Sequence, residues 1–248
     1  MKRLAVVAAV ALLVCCAHRS AALPRDHHVS ILYVALGDST VEGIGATSPA
    51  TNYVTRLHAR LRAVYPRAGV INLGVGGATS ADVVRDQLDR AILMRPKLVT
   101  LSVGPNDITG HVPVAEYEEN VGAIFRRLTG EIGAVVVVNL LPDLAVTPRF
   151  HGREGEREVA KLTIDFNAAL TRQGRRYGVE VVDLYKPSQV EVPRQPELLA
   201  ADGYHPSDLG YARWAELLWT GVERRIGGRR AAAPNTTPVV AVEGPRES

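Results

Sequence analysis

From Val29 to Arg225 the chain alternates short β-branched, apolar runs with longer amphipathic stretches, and this alternation limits the fold more than any other feature. Strand, helix, strand units of this kind build a parallel sheet. Strands are expected at Ile31–Leu36, Val70–Leu73, Leu98–Val103, Ala134–Leu140 and Glu180–Leu184. Four of them are nearly continuous apolar runs, the mark of strands covered by helices on both faces. The helices show as apolar residues spaced by three and four: Val54, Leu57, Leu61 and Val64, then Val83, Val84, Leu88 and Ala91. The same spacing recurs through Val121, Ile124, Phe125 and Leu128, through Val159, Leu162, Phe166 and Leu170, and through Tyr211, Trp214, Leu217 and Leu218.

At 248 residues, 46% hydrophobic and 22% charged, the chain is long enough for a full core and short enough for one domain. Met1-Lys2-Arg3, an almost uncharged run from Leu4 to Ala17 and then Ser20-Ala21-Ala22 read as an export signal over residues 1–22. The apolar run falls short of the ~20 residues of a spanning helix, so no stable transmembrane anchor is expected. The expected location is outside the cytoplasm, secreted or in the periplasm or cell envelope. Cys15 and Cys16, the only cysteines, fall inside this signal, so cleavage after Ala22 leaves a chain that cannot form a disulfide. A lipoprotein signal calls for a small residue before its cysteine, where Val14 and Cys15 stand instead.

The signal carries Lys2, Arg3 and Arg19 and no acid, so its loss turns 29 basic residues against 26 acids into 26 of each. A near-neutral chain lacks the basic footprint of a nucleic-acid binder. Residues 23–28 read as a linker, 29–226 as the folded domain, and 227–248, rich in Gly, Pro and Arg without periodicity, as a disordered tail. The His27-His28 pair has no third ligand in register, so no metal is expected.

In an open parallel α/β sheet, ligands bind where loops leave the carboxyl ends of the strands. Four polar or glycine-rich segments fall there: Gly37-Asp38-Ser39-Thr40, Asn72-Leu73-Gly74-Val75-Gly76-Gly77, Gly104-Pro105-Asn106-Asp107 and Asp202-Gly203-Tyr204-His205. A serine hydroxyl is a poor nucleophile unless a base takes its proton and a third group holds that base. These segments supply a serine, a histidine and an acid.

Taken in order, the segments resemble the signature blocks of the SGNH hydrolases, the GDSL esterases and lipases, across roughly Ile31 to Trp214. The resemblance implies a three-layer α/β/α sandwich of flavodoxin-like type with a central five-stranded parallel sheet. It also implies a serine esterase or lipase that cleaves acyl esters through an acyl-enzyme, with no metal and no organic cofactor. By the same resemblance Ser39 is the nucleophile, His205 the base and Asp202 the acid that orients it. The Ser39 and Gly77 amides and the Asn106 side chain then form the oxyanion hole. Gly77 fits that role because, lacking a Cβ, it permits both unusual φ values and close approach of substrate to its N–H, and a side chain there is expected to crowd the hole. Thr40 departs from the leucine of the family name, and Pro105 fills a variable position.

Plainer roles are expected for the neighbours. Asp38 and Asn72 read as turn formers, Asp107 as a turn or helix-start residue, Ser207 as an N-cap and Asp208 as a first-turn acid. His58 is expected on a solvated helix face, and His111 and His151 at the rim of the site. The substrate-lining segments are expected at 41–52, 108–114, 141–155 and 186–201, which mix small apolar, charged, Gly and Pro residues. They suit a small-molecule, lipid or glycan acyl ester, with short to medium acyl chains favoured and a monomer as the default state. Transfer of the acyl group to a sugar or lipid hydroxyl is the variant within the enzyme class. The competing class is an envelope module that binds a glycan or acyl chain without catalysis.

Overall fold

The computed structural model describes residues 21–227. The signal read in 1–22 and the tail read in 227–248 therefore lie almost wholly outside the described residues. Five strands, β1 (Leu32–Gly37), β2 (Gly69–Asn72), β3 (Leu98–Ser102), β4 (Val135–Asn139) and β5 (Glu180–Val182), form one all-parallel sheet in the order β2-β1-β3-β4-β5. The expected α/β sandwich with a five-stranded parallel sheet is the observed one. β1, β3 and β4 are buried almost throughout, as their unbroken apolar runs require, while β2 and β5 are the more exposed edges.

Alternate residues of β1 serve different cores. Tyr33 and Ala35 pack with α2 (Tyr53–Val64) and α9 (Asp208–Arg224), whereas Val34 and Leu36 face α6 (Val114–Gly130) and α7 (Glu156–Tyr177). On the second face, α3 (Ser80–Asp82) runs through a π-helical turn (Val83–Gln87) into α4 (Leu88–Met94). Two short helices, α1 (Ser39–Glu42) and α5 (Pro105–Thr109), begin directly after β1 and β3.

Besides the short α1 and α5, one longer helix escapes the sequence reading. β5 ends at Val182 rather than Leu184, because the Asp183 carboxylate accepts the Lys186 N–H and starts α8 (Tyr185–Arg194). Pro187 and Pro193 disguise it. Pro187 sits in the first turn, where its missing N–H costs nothing, and Pro193 lies next to the last residue.

The segment read as a linker is docked. Leu23 is buried, its N–H donates to Arg225 O at 2.7 Å, and it pairs with Ile226, while Tyr65 Oη donates to Pro24 O. Among the described residues no helix is long and apolar enough to cross a membrane.

Candidate active site

β1 ends in a turn that glycine alone tolerates. Gly37 has φ of +141°, and a Cβ there would lie 1.9 Å from Ser102 O on β3. Because β2 pairs no further than Ala35, Gly37 lacks a regular strand neighbour on that side. Gln87 fills the gap: its Oε1 accepts the Gly37 N–H and its Nε2 donates to Gly37 O, both at 2.8 Å. The π-helical turn that carries Gln87 is the kind of helix irregularity often found at functional sites. No sequence periodicity marks it.

Asp38 then caps α1, its Oδ1 accepting from Thr40 N and Thr40 Oγ1 at 2.9 and 2.8 Å. Thr40 thus gives the capping acid a hydroxyl donor that leucine lacks. Asp38 is the expected turn former, but it is also fully buried, and its Oδ2 has no partner among the described residues. Burial pushes its carboxyl up to about 6, with the Thr40 hydrogen bonds acting the other way. As the first residue of α1, Ser39 has an amide with no acceptor inside the helix.

His205 arrives from a surface turn before α9. Asp202 Oδ2 lies 2.6 Å from His205 Nδ1, and His205 Nε2 lies 2.9 Å from Ser39 Oγ. A carboxylate only accepts, so Nδ1 donates to Asp202. Nε2 of the neutral ring is then the acceptor and Ser39 Oγ the donor. Asp202 Oδ1 also accepts the Tyr204 and His205 amides, each at 2.9 Å. Burial raises the Asp202 carboxyl, but the His205 ring and these two amides outweigh it and hold it below the ordinary range. Tyr204 meets the imidazole edge-on at 5.2 Å between centroids, and burial pushes its phenol up to about 12. Ser207 N-caps α9 by accepting from Gly210 N, as expected, and the Leu199–Pro206 bridge closes the base of the turn. Asp208, the first-turn acid, also accepts from Thr47 N.

The loop after β2 is laced to α1. Asn72 Nδ2 donates to Val41 O while its Oδ1 accepts from Gly74 N, and Glu42 Oε2 accepts the Gly76 N–H at 2.6 Å. The Ala78 amide donates to Val75 O, but the Gly77 amide between has no protein acceptor among the described residues. Gly77 has a φ of +79°, the unusual value expected of glycine here, and an added Cβ meets no protein atom within 4 Å. Asn106 Nδ2 donates to Ala78 O at 3.0 Å, tying the third segment to the second. Asp107 is buried and accepts from Ser80 N at 2.9 Å and from Ser80 Oγ, so it bolts α5 to α3 as well as beginning a helix. Burial raises its carboxyl against those hydrogen bonds.

Ser39, Asn106 and His205 all border one cleft of about 870 Å3, open mouth included, which runs between α8 and α9. Gly77 lies on the exposed loop outside its wall. Of the expected lining segments, 141–155 and 186–201 contribute, whereas 41–52 and 108–114 do not. Tyr211 Oη holds Ile44 O at 2.7 Å, and His111 is an exposed residue with φ of +57°. Exposed His151 pairs with Glu156 and is absent from the cleft wall. Half-buried His58 is not simply solvated, because the returning Ala68 carbonyl meets its Nε2 at 2.9 Å. Among the described residues no group of three or more His, Cys, Asp or Glu side chains forms a metal site.

The chain is 32% identical over 203 residues to a GDSL-like esterase of Mycobacterium tuberculosis, covering 79% of this chain and 62% of that one. It is 29% identical over 193 residues to an acetylxylan esterase of Geobacillus stearothermophilus, covering 71% of this chain and 83% of that one. The fold superposes on the lipase/acylhydrolase of Enterococcus faecalis with a TM-score of 0.62 at 24% identity, over 81% of this chain and 100% of that one. Residues 35–213 match the GDSL-like lipase/acylhydrolase family, and the chain belongs to it.

Proposed function

We propose that the protein is an exported serine esterase that cleaves carboxylic acyl esters through an acyl-enzyme, with Ser39 as nucleophile. One observation carries the reading: the unbroken hydrogen-bond chain from Asp202 through His205 to Ser39 Oγ. His205 Nε2 takes the hydroxyl proton as Ser39 Oγ attacks the ester carbonyl, and Asp202 stabilises the imidazolium that forms. Three donors converge on the developing oxyanion, namely the Ser39 amide, the unpaired Gly77 amide and the second Nδ2 hydrogen of Asn106. Collapse of the intermediate expels the alcohol, which takes its proton from His205. A water then attacks the acyl-enzyme with His205 again as base, releasing the acid and restoring Ser39.

Export rests on the basic, apolar and small-residue succession of residues 1–22. The decisive experiment is fluorophosphonate labelling of the purified protein, which is expected to modify wild type and to spare Ser39→Ala. Ester turnover is expected to vanish with the label. Turnover by Ser39→Ala at the wild-type rate refutes the reading.

A further inference from the structure

The cleft extends beyond what an acetyl group fills, and its wall is mostly apolar. Leu144, Leu184, Val192, Leu198, Trp214 and Leu217 supply apolar surface from the β4 loop, α8 and α9. Most of the polar side chains among them are already engaged, the exception being Tyr204, whose Oη has no hydrogen-bond partner among the described residues. Ser188 Oγ donates to Tyr185 O and accepts from Asp143 N, and Asp143 takes Gln189 Nε2 and the Ala145 N–H. Thr147 Oγ1 donates to Leu144 O, and Glu191 pairs with Arg213 at 2.7 Å. Asp38 Oδ2 and Trp214 Nε1 have no partner among the described residues, but both are sealed from solvent and offer nothing to an occupant. A sugar ring entering here leaves most of its hydroxyls unpaired, which is costly. An alkyl chain leaves nothing unpaired.

We infer that the space between α8 and α9 binds a linear aliphatic chain carried by the substrate ester, continuous with Ser39, so that the protein selects aliphatic esters rather than acetylated sugars. The inference rests on the ester-hydrolase reading above. The free space inside the cleft is about 100 Å3, several times the ~10–15 Å3 that one water-sized sphere takes, so it accommodates methylenes beyond acetyl. Each buried methylene contributes about 0.8 kcal/mol, or about fourfold in kcat/KM if the gain is realised in the transition state.

The test is a p-nitrophenyl ester series from C2 to C12 on wild type, Leu217→Trp and Val192→Trp, with thermal melts to confirm folding. The expected result is a kcat/KM that climbs about fourfold per methylene from C4 to C8. The C8 to C2 ratio is expected to fall at least tenfold in a folded tryptophan variant. A profile unmoved in both folded variants overturns the inference, and so does one that peaks at C2 when octyl acetate is turned over no better than ethyl acetate. Methyl octanoate against octyl acetate then assigns the chain. A gain confined to either ester supports the aliphatic occupant and names its acyl or alcohol origin, and no gain with either overturns it. If no ester is turned over and fluorophosphonate labels nothing, the esterase reading fails by itself. Decanoate quenching of tryptophan fluorescence, reduced in Leu217→Trp, then still supports the pocket, and no quenching overturns it.

Discussion

His205 and Asp202 stand three residues apart on one surface turn, while Ser39 is held by residues drawn from β1, β3, the β2 loop and the π-helical turn. The first half is local: Asp202 takes the amides of Tyr204 and His205 and the His205 ring, all within one turn. The second half is made at long range, with Gln87 on Gly37, Ser102 O on Asp38 N, and Ser80 on Asp107. It is also buried, whereas the Asp202 side chain is 46% exposed. The proposed base can therefore be lost without disturbing the fold, but the support of the proposed nucleophile cannot.

The largest expected effect breaks the local half. His205→Ala should lower kcat on the order of 10⁴-fold or more, with a thermal midpoint equal to wild type. A melting point several degrees lower shows that the turn does structural work the geometry does not indicate. Next comes Asn106→Ala, which joins the halves by facing the cleft while gripping Ala78 O. Loss of one oxyanion donor costs about 10²- to 10³-fold in kcat. An unchanged kcat with a raised KM would remove Asn106 from the oxyanion hole.

What was legible in the sequence follows the same division. Asp202 and His205, three apart, and Gly37 to Thr40, contiguous, form patterns that one stretch of chain displays. Gln87 and Glu42 do not, because their partners, Gly37 and Gly76, lie 50 and 34 residues away, and only the folded sheet edge brings them together. Burial patterns exposed the buried strands and five main helices for the same reason that they hid α8, whose prolines speak locally against a helix that tertiary packing sustains. Trp214 and Leu217 were legible as a helix stripe but not as a cleft wall, since spacing reports burial and not what lies opposite.

Gln87→Ala tests the long-range half. It strips the partner from the Gly37 N–H and one of two donors from its carbonyl, which keeps the Val75 N–H, and leaves a buried gap, for an expected loss of about 2 kcal/mol read from a urea midpoint. Activity per folded molecule should fall with it, because the Ser39 turn springs from that peptide. Undiminished stability would mean that the sheet edge holds Gly37 unaided.

Asp38 offers a pH-resolved version. Its folded carboxyl lies near 6, above the ordinary 3.8, so the native state binds more protons between those values than the unfolded chain does. Its contribution to stability is therefore greatest below pH 4 and declines as pH rises to about 6, by about 3 kcal/mol in all. Asp38→Asn keeps an oxygen for Thr40 and abolishes the titration. The wild-type minus variant difference in unfolding free energy should slope downward across this window and be flat above it. A flat difference throughout would place Asp38 in contact with solvent.

The smallest effect bears on a long-range bond at the surface. Glu42 Oε2 fixes the Gly76 amide, and the next peptide carries the Gly77 N–H toward the proposed oxyanion. Glu42 touches no reacting atom, so it acts only by positioning that amide. Glu42→Ala frees a loop otherwise anchored at Asn72 and at Ala78 O, and kcat should fall a few-fold, about 1 kcal/mol for one exposed charge-assisted hydrogen bond. Because the interaction needs an acceptor rather than a charge, Glu42→Gln should restore most of kcat, with KM for a short ester unchanged in both variants. A loss equal in Gln and Ala points to the field of the carboxylate instead. A change confined to KM shows the loop to be a substrate contact, and the division between a local base and a long-range nucleophile then extends no further than the buried residues.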